Sequence, residues 1–364
     1  MKDLDLYENE MKTSDETLFP ETPKNKEPKK AKKEKKPWTR KKATCFWSLG
    51  ITGSIALGVG IGYIFATLFN GGEMGDYSHV NVSAYAVNYD ALIEKYNSFP
   101  KNADFSKSFT PCELANTSLT LLHRNERYMA QGYGKGTFNV FGVSGDQAIR
   151  STMIRNGNDY FEESLSKSSL VQAAFRMYET YEGETSSTYR YKGSVDANIY
   201  DSHFSESAKE TFTRDAYKET MGRYLDGIPC IYIISDRCLS KEGQKETSGI
   251  PTSVEKTDNG YRIELELNPR VTVKNYVLQM IQTGDLAGPP SFKYVHLTFE
   301  LDSELNLISL RNRESYYAQK KAGPGKAGPG SNMKGDLTTY FYTKDVPDIP
   351  ELSVQTIYDT SKES

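Results

Sequence analysis

Cysteine, histidine and tryptophan are scarce in this chain of 364 residues, and their scarcity excludes several classes of protein. Four cysteines are too few for a disulfide-dense scaffold. The histidines lie far apart, and neither an HExxH nor a CxxC metal motif is present. The sequence therefore predicts neither a metal ion nor a cofactor. The histidines are His79, His123, His203 and His296.

Motifs for nucleophilic and phosphate chemistry are missing as well. The run GYGKGTF (132–138) has spaced glycines but is not the GxxxxGK[ST] of a P-loop, and its strand-like flanks predict bulges or a twisted edge. Ser164 and Lys167 form an S-x-x-K, but KTG does not follow it as penicillin-recognising enzymes require. Glu264 and Glu266 alternate on one side of a predicted strand, where they are expected to face water. We predict no enzymatic activity.

The net charge of −3 conceals a segmented chain. Residues 1–23 carry two lysines against seven acidic residues, whereas residues 24–42 carry eleven lysines or arginines against two glutamates. Residues 45–69 carry no charge at all, and the remainder is acidic. Hydrophobic residues make up only 37% of the chain, but 25 tyrosines argue against disorder throughout.

The uncharged stretch predicts a transmembrane helix over residues 43–69. Its 25 residues would form a helix of about 37 Å, enough to cross a hydrocarbon core of about 30 Å. The alternatives are a buried soluble helix and a cleaved signal peptide, but the preceding region is too long for a signal peptide. Because the basic block precedes the span, the positive-inside rule places the N-terminus in the cytoplasm and the C-terminal part outside the cell membrane.

The segments around the span have simple predicted roles. Residues 1–42 should be a disordered cytoplasmic tail, and the basic block at 24–42 should bind anionic membrane lipid rather than nucleic acid. Within the span, small residues recur every four positions and line one helix face. This face predicts a homo-oligomer or another membrane partner. The residues are Gly50, Ser54, Gly58, Gly62 and Ala66.

The part outside the membrane is predicted to be an α+β domain. Residues 70–86 are expected to be a linker, residues 87–350 the domain, and residues 351–364 a C-terminal tail. Eight to ten strands should form one large curved antiparallel sheet with three or four helices, since the helices do not alternate with the strands. Two subdomains meeting near residues 200–212 are the alternative. Helices are predicted near 91–96, 111–122, 214–223 (with Thr213 as N-cap) and 273–284.

Turn chemistry and residue alternation predict the strands. Asn156–Gly157 and Asn259–Gly260 are expected to be hairpin turns. The run CIYII (230–234) should be a buried strand, and the tandem KAGPG-KAGPG (321–330) a mobile loop between two strands. His296 falls on the polar face of its strand and is expected to be solvated.

Two of the cysteines are close enough in sequence to form a local bridge. Cys230 and Cys238 could form a disulfide outside the membrane, which would leave Cys112 unpaired. Buried free thiols are the alternative.

The order of elements over residues 85–345 resembles lipoprotein carriers of the LolA and LppX type. The resemblance lies in N-terminal helices, long hairpins, a further helix pair and late strands such as KYVHLTFELDSELNLISL (293–310). It implies a curved antiparallel sheet that wraps helices and leaves a hydrophobic cavity for an acylated ligand. The resemblance assigns no functional residues to this chain. The anchor departs from the family, whose members usually carry a lipid or a cleaved signal, so a tethered domain would receive or present lipid rather than shuttle it.

The sequence thus predicts a single-pass membrane-anchored extracytoplasmic protein that binds a lipid or another apolar ligand. The alternative is a structural or adhesive envelope protein that binds other proteins or wall polymer. The first requires an internal cavity, whereas the second requires an exposed aromatic patch.

Overall fold

The structure is a computed structural model that describes residues 73–100, 103–140, 143–168, 172–195, 202–241, 247–284, 286–323 and 326–350. The predicted cytoplasmic tail, the transmembrane helix at 43–69 and the C-terminal tail from 351 lie outside these ranges. Within them, no helix combines the length and apolar character needed to cross a membrane.

Eleven antiparallel strands form one sheet in the order β6-β5-β4-β3-β2-β1-β11-β10-β9-β8-β7. Two meanders make up this sheet: β1 to β6 run outward from the centre, β7 to β11 run back inward, and β1 pairs with β11. The α+β class with a large antiparallel sheet is confirmed. The strands are β1 Arg127–Val140, β2 Val143–Asn156, β3 Asp159–Lys167, β4 Gln172–Glu182, β5 Thr185–Val195, β6 Ser202–Thr213, β7 Ser253–Thr257, β8 Gly260–Leu267, β9 Ser291–Asp302, β10 Leu307–Gly323 and β11 Lys326–Tyr342.

Five α-helices accompany the sheet in the described ranges, and the capping residues explain where they begin. Thr110 and Glu113 form a reciprocal capping box, and Pro111 between them is the first residue of the helix. Thr213 caps the next helix as predicted, and that helix ends at Gly222, whose φ of 73° favours glycine. The helices are α1 Tyr89–Asn97, α2 Pro111–Arg124, α3 Arg214–Met221, α4 Pro269–Thr272 and α5 Lys274–Gly284.

Both predicted hairpin turns are confirmed. Asn156–Gly157 joins β2 to β3, with Gly157 at a φ of 61°. Asn259–Gly260 joins β7 to β8. In each turn glycine takes a conformation that other residues rarely adopt.

One face of the sheet, called here the inner face, packs against the helices and holds the main core. Alternate residues of β8 and β9 point into it, as the period of two predicts. Leu114 and Leu119 of α2, together with Tyr276 and Val277 of α5, fill the same cluster. The inward residues of β8 and β9 are Tyr261, Ile263, Leu265, Leu267, Val295, Leu297, Phe299 and Leu301. The opposite side is the outer face.

The prediction of a mobile loop at the KAGPG tandem was wrong. Its first copy continues β10 and its second begins β11, so that only residues 324–325 lie between the two strands. The tandem is compatible with strand pairing because the register between β10 and β11 shifts beyond Gln319. In addition, β1 begins to pair with β11 only at Asn332, so Pro329 lies where no ladder on that side needs its N–H.

Residues 73–86 fall in the segment predicted to be a linker. Tyr77 and Val80 in this segment are buried in the main core. The Tyr77 hydroxyl donates to the carbonyl oxygen of Pro290 at 2.9 Å.

Candidate functional site

The centre of the inner face has a strip without side chains. Tyr128, Ala130 and Phe138 of β1 are buried on this face, and alternation places Gly132, Gly134 and Gly136 there as well. The prediction that this run forms a bulge or a sheet edge was wrong, because β1 pairs continuously with β2 and β11. The glycines instead let atoms of the neighbouring strands β2 and β11 come close to the backbone of β1 in the middle of the sheet.

Gly132 illustrates that close approach. It pairs with Ser151 of β2 on one side and with Thr339 of β11 on the other. A Cβ at this position would lie 2.4 Å from Ser151 Oγ and 3.2 Å from Thr339 Oγ1. The two hydroxyls therefore flank a floor of bare backbone.

A cavity of about 20 Å³ opens beside this floor. That volume accommodates about one water molecule. Pro229 roofs the cavity and belongs to residues 222–235, a connection without helix or strand that we call the cover segment. The lining combines apolar side chains with two hydroxyls and one carboxyl: Ala130, Ser151, Met153, Glu162, Pro229, Leu310, Thr339 and Phe341.

Two polar side chains in the lining are strongly buried. Thr339 is 4% exposed, and its Oγ1 has no hydrogen-bond partner within the described structure. Glu162 of β3 is 5% exposed. Buried polar atoms are nearly always hydrogen-bonded, and because Thr339 lines the cavity, a water molecule or a polar ligand group there could bind its hydroxyl.

Glu162 belongs to a buried charged cluster under α3. Glu179 of β4 accepts hydrogen bonds at 3.1 Å from Thr188 Oγ1 and at 3.1 Å from the Tyr217 hydroxyl. Burial alone would lower the pKa of the Arg223 guanidinium, but acidic neighbours that include Glu179 and Glu162 raise it. The cluster therefore places two carboxyl groups around one permanent cation.

A second buried carboxyl, Glu314 of β10, lies near the cover segment. It accepts hydrogen bonds from the hydroxyls of Tyr232 at 2.8 Å and Tyr276 at 3.3 Å. Burial raises the pKa of Glu314 to about 7, although hydrogen bonds from Tyr232, Asn312 and Tyr276 oppose that rise. No cationic side chain in the described ranges forms an ion pair with it, so protonation neutralises this buried acid below about pH 7.

Hydrogen bonds to helices hold the cover segment in place. Ile233 N donates to Thr272 O at 2.9 Å, and Thr272 Oγ1 donates to Ile233 O at 2.8 Å. Asn116 of α2 binds Ile234 O at 3.0 Å. The run 230–234 is therefore buried as predicted, but the predicted strand was wrong because its backbone groups bond to helices rather than to a neighbouring strand.

The predicted Cys230–Cys238 disulfide is absent from the structure, and both residues are free thiols, as is Cys112. Cys230 Sγ donates at 3.8 Å to the carbonyl oxygen of Tyr232, which lies in the same cover segment. Burial raises the pKa of Cys230 to about 12 and that of Cys238 to about 11. The small-residue stripe, Gly50, Ser54, Gly58 and Gly62, lies outside the described ranges.

The outer face holds a polar network where solvent was expected. Glu264 is 8% exposed, Glu266 5% and His296 fully buried, so the prediction that these groups face water was wrong. Glu264 accepts from Thr298 Oγ1 at 2.7 Å, and His296 Nε2 lies 3.2 Å from Glu264 Oε2. Ser248 covers Glu266 and donates to it through its backbone at 3.1 Å. The loop that brings Ser248 there is distant in sequence, and alternation within β8 could not reveal it.

Burial sets the charge of the outer network. It lowers the pKa of His296, and the adjacent Arg313 lowers it further. The imidazole is therefore neutral, with Arg313 Nη2 at 2.9 Å from its Nδ1. Within the described residues, His296 Nε2 and Arg313 Nε are buried without a hydrogen-bond partner.

No protein-family model and no curated protein matches this chain. Among solved structures, the chain is similar to a DUF1329 family protein from Desulfovibrio piger, at 9% identity and a TM-score of 0.25, over 70% of this chain and 98% of that protein. It is also similar to a putative outer membrane lipoprotein-sorting protein domain from Vibrio parahaemolyticus, at 8% identity and a TM-score of 0.18, over 71% of this chain and 92% of that domain. Both similarities concern the fold alone, and no residue role follows from them.

Proposed function

We propose that this chain is a membrane-anchored extracytoplasmic protein that binds a lipid or another apolar ligand between the inner face of its sheet and the cover segment. The observation that carries the proposal is the cavity that lies between the inner face and Pro229 of this irregular segment. Apolar side chains surround that bare floor on four strands and on Pro229.

Ligand entry on this proposal requires movement of the cover segment. Pockets for small organic ligands measure about 300–1,000 Å³, far more than the cavity of about 20 Å³. Segments outside helices and strands open at low free-energy cost relative to a core. Each CH₂ group of an acyl chain that then enters the site contributes about 0.8 kcal/mol, which offsets the cost of opening.

The distribution of tyrosine supports an internal site over an adhesive surface. Adhesion through exposed tyrosines would require a patch of aromatic side chains on the surface. Within the described ranges, the large hydrophobic side chains that are exposed are Val82 and Ile308. Many tyrosines are buried instead, among them Tyr128, Tyr133, Tyr217, Tyr232, Tyr276 and Tyr316.

The membrane location in this proposal is supported by sequence alone. The basic block at 24–42 followed by the uncharged run at 45–69 favours a cytoplasmic N-terminus and a domain on the far side of the membrane.

Native mass spectrometry of the full chain, purified from membranes in detergent, tests the binding function. We expect an added mass that extraction identifies as lipid. Ser151→Leu places a side chain in the cavity and should abolish the added mass. Thr152→Leu, one residue along on the outer face, is the matched control and should retain it. A bare protein mass for the wild type, or equal lipid retention by the two variants, would overturn the proposal.

A further inference from the structure

We infer that this site selects an acyl lipid whose head is uncharged and bears hydroxyl groups, and rejects lipids with an anionic head. The inference rests on the proposed function and names the class of ligand for the same cavity. It is carried by the polar groups in the lining, their burial and the charges behind them.

The hydroxyl groups of Thr339 and Ser151 lie on either side of Gly132. Thr339 Oγ1 is buried, lines the cavity and has no hydrogen-bond partner in the described structure. Ser151 Oγ flanks Gly132 from the other neighbouring strand and also lines the cavity. A hydroxyl can donate and accept, so a ligand hydroxyl placed over Gly132 would satisfy the buried threonine from either direction.

Glu162 supplies the carboxyl group in the lining of the cavity. Its side chain lines the cavity at 5% exposure, whereas Arg223 does not line it. The nearby charges of Glu162 and Glu179 raise the pKa of the Arg223 guanidinium. An anionic head beside the Glu162 carboxyl would bring like charges together in a desolvated site, which is strongly unfavourable. Glu162 acts as the repulsive element that gives specificity.

A cationic head is also disfavoured. Glu162 and Glu179 are both engaged by the Arg223 cluster, and Glu179 has two hydroxyl donors of its own. A cationic head would lie near the Arg223 guanidinium, which keeps its positive charge at every accessible pH. A neutral head adds no charge to the cluster.

Photolabelling of the full chain in phosphatidylcholine vesicles tests the inference. The two probes carry the same diazirine-bearing, alkyne-tagged C16 chain, one on a glycerol head and the other on a sulfate head, which stays anionic at all pH values used. Labelled peptides are mapped by mass spectrometry. We expect the glycerol probe to label peptides of β1, β2, β10 and β11 at least about tenfold more than the sulfate probe.

Three variants locate the cause of the selectivity. Glu162→Gln should reduce the preference to within about threefold by admitting the sulfate probe. Glu163→Gln is the matched control, since Glu163 lies on the outer face with its carboxylate 2.6 Å from Arg176 Nη2, and should leave the preference unchanged. Thr339→Val, which is nearly isosteric, should lower glycerol-probe labelling by at least about threefold without changing sulfate-probe labelling.

The outcomes separate the two claims. Equal or stronger labelling by the sulfate probe in the wild type overturns the head selectivity, as does an equal effect of the Glu162 and Glu163 substitutions. Absence of inner-face labelling by either probe overturns the proposed binding function, and the selectivity with it.

Discussion

The hydroxyl of Tyr232 donates a 2.8 Å hydrogen bond to the buried carboxyl of Glu314, and this bond ties the cover segment to strand β10. The Asn312 side-chain amide donates to the same hydroxyl at 2.9 Å. One of the hydrogen bonds that hold the cover segment therefore involves a buried acid whose charge changes near neutral pH.

Glu314 should make the domain less stable as pH rises. Its pKa is raised from 4.5 to about 7 in the folded protein, so the folded state binds more protons than the unfolded state between these values. Stability is then full below about pH 4.5 and falls until about pH 7, by about 3 kcal/mol in total. Urea denaturation across pH 4.5–8 measures this slope.

Glu314→Gln should remove most of that slope because an amide does not titrate. The variant should match the wild type near pH 5 and exceed its stability by about 1–3 kcal/mol at pH 8. Glu255→Gln, on the exposed surface of β7, serves as the control and should leave the slope unchanged. A slope that persists in the Glu314 variant would refute the assignment.

Tyr232→Phe should destabilise the domain by about 1–3 kcal/mol, because the Glu314 carboxyl and the Asn312 amide each lose a buried hydrogen bond. It should also shift the pH midpoint of stability upward, since the hydroxyl favours the charged form of Glu314. Tyr224→Phe removes only an exposed contact with Lys218 and should cost less than about 0.5 kcal/mol. Equal losses in the two variants would contradict this role for Tyr232.

The glycines of the strip should differ in their tolerance of alanine. A Cβ at Gly134 would lie 2.3 Å from the backbone oxygen of Asp336, whereas a Cβ at Gly132 would meet the movable Ser151 Oγ at 2.4 Å. We expect Gly134→Ala to cost about 2–3 kcal/mol and Gly132→Ala less. Adding Ser151→Ala should restore stability to Gly132→Ala but not to Gly134→Ala, as thermal unfolding would show.

The three thiols of the described domain should resist alkylation. Burial raises the pKa of Cys112, Cys230 and Cys238 far above neutrality, and the thiolate is the reactive form. Iodoacetamide at pH 8 should leave them unmodified in the folded protein and modify all three in urea, as peptide mass spectrometry would reveal. Rapid labelling of Cys230 before unfolding would contradict the structure.

The sequence predicted those elements whose causes are local. Thr213 begins a helix and Asn259–Gly260 forms a turn because the residues themselves favour these conformations. Alternation in β8 and β9 likewise identified the core-facing residues. The wrong predictions depended on distant segments: Glu266 is buried by Ser248, and residues 230–234 bond to helices.

The candidate site was beyond local reasoning for the same kind of reason. Gly132, Ser151 and Thr339 meet only through strand register, over a sequence separation of up to about 200 residues. A signal was nevertheless present, since three glycines at alternate positions of one strand indicate a side-chain-free strip on a single face.

The pairing of β1 with β11 makes folding of the domain depend on its last strand. Met129 pairs with Tyr342, so the joint at the centre of the sheet is its most non-local contact, and such contacts form slowly. Each meander can assemble alone from consecutive hairpins, but β1 keeps an open edge until β11 has been synthesised. During that interval the glycine strip lies at an unprotected sheet edge, the kind of surface on which aggregation begins.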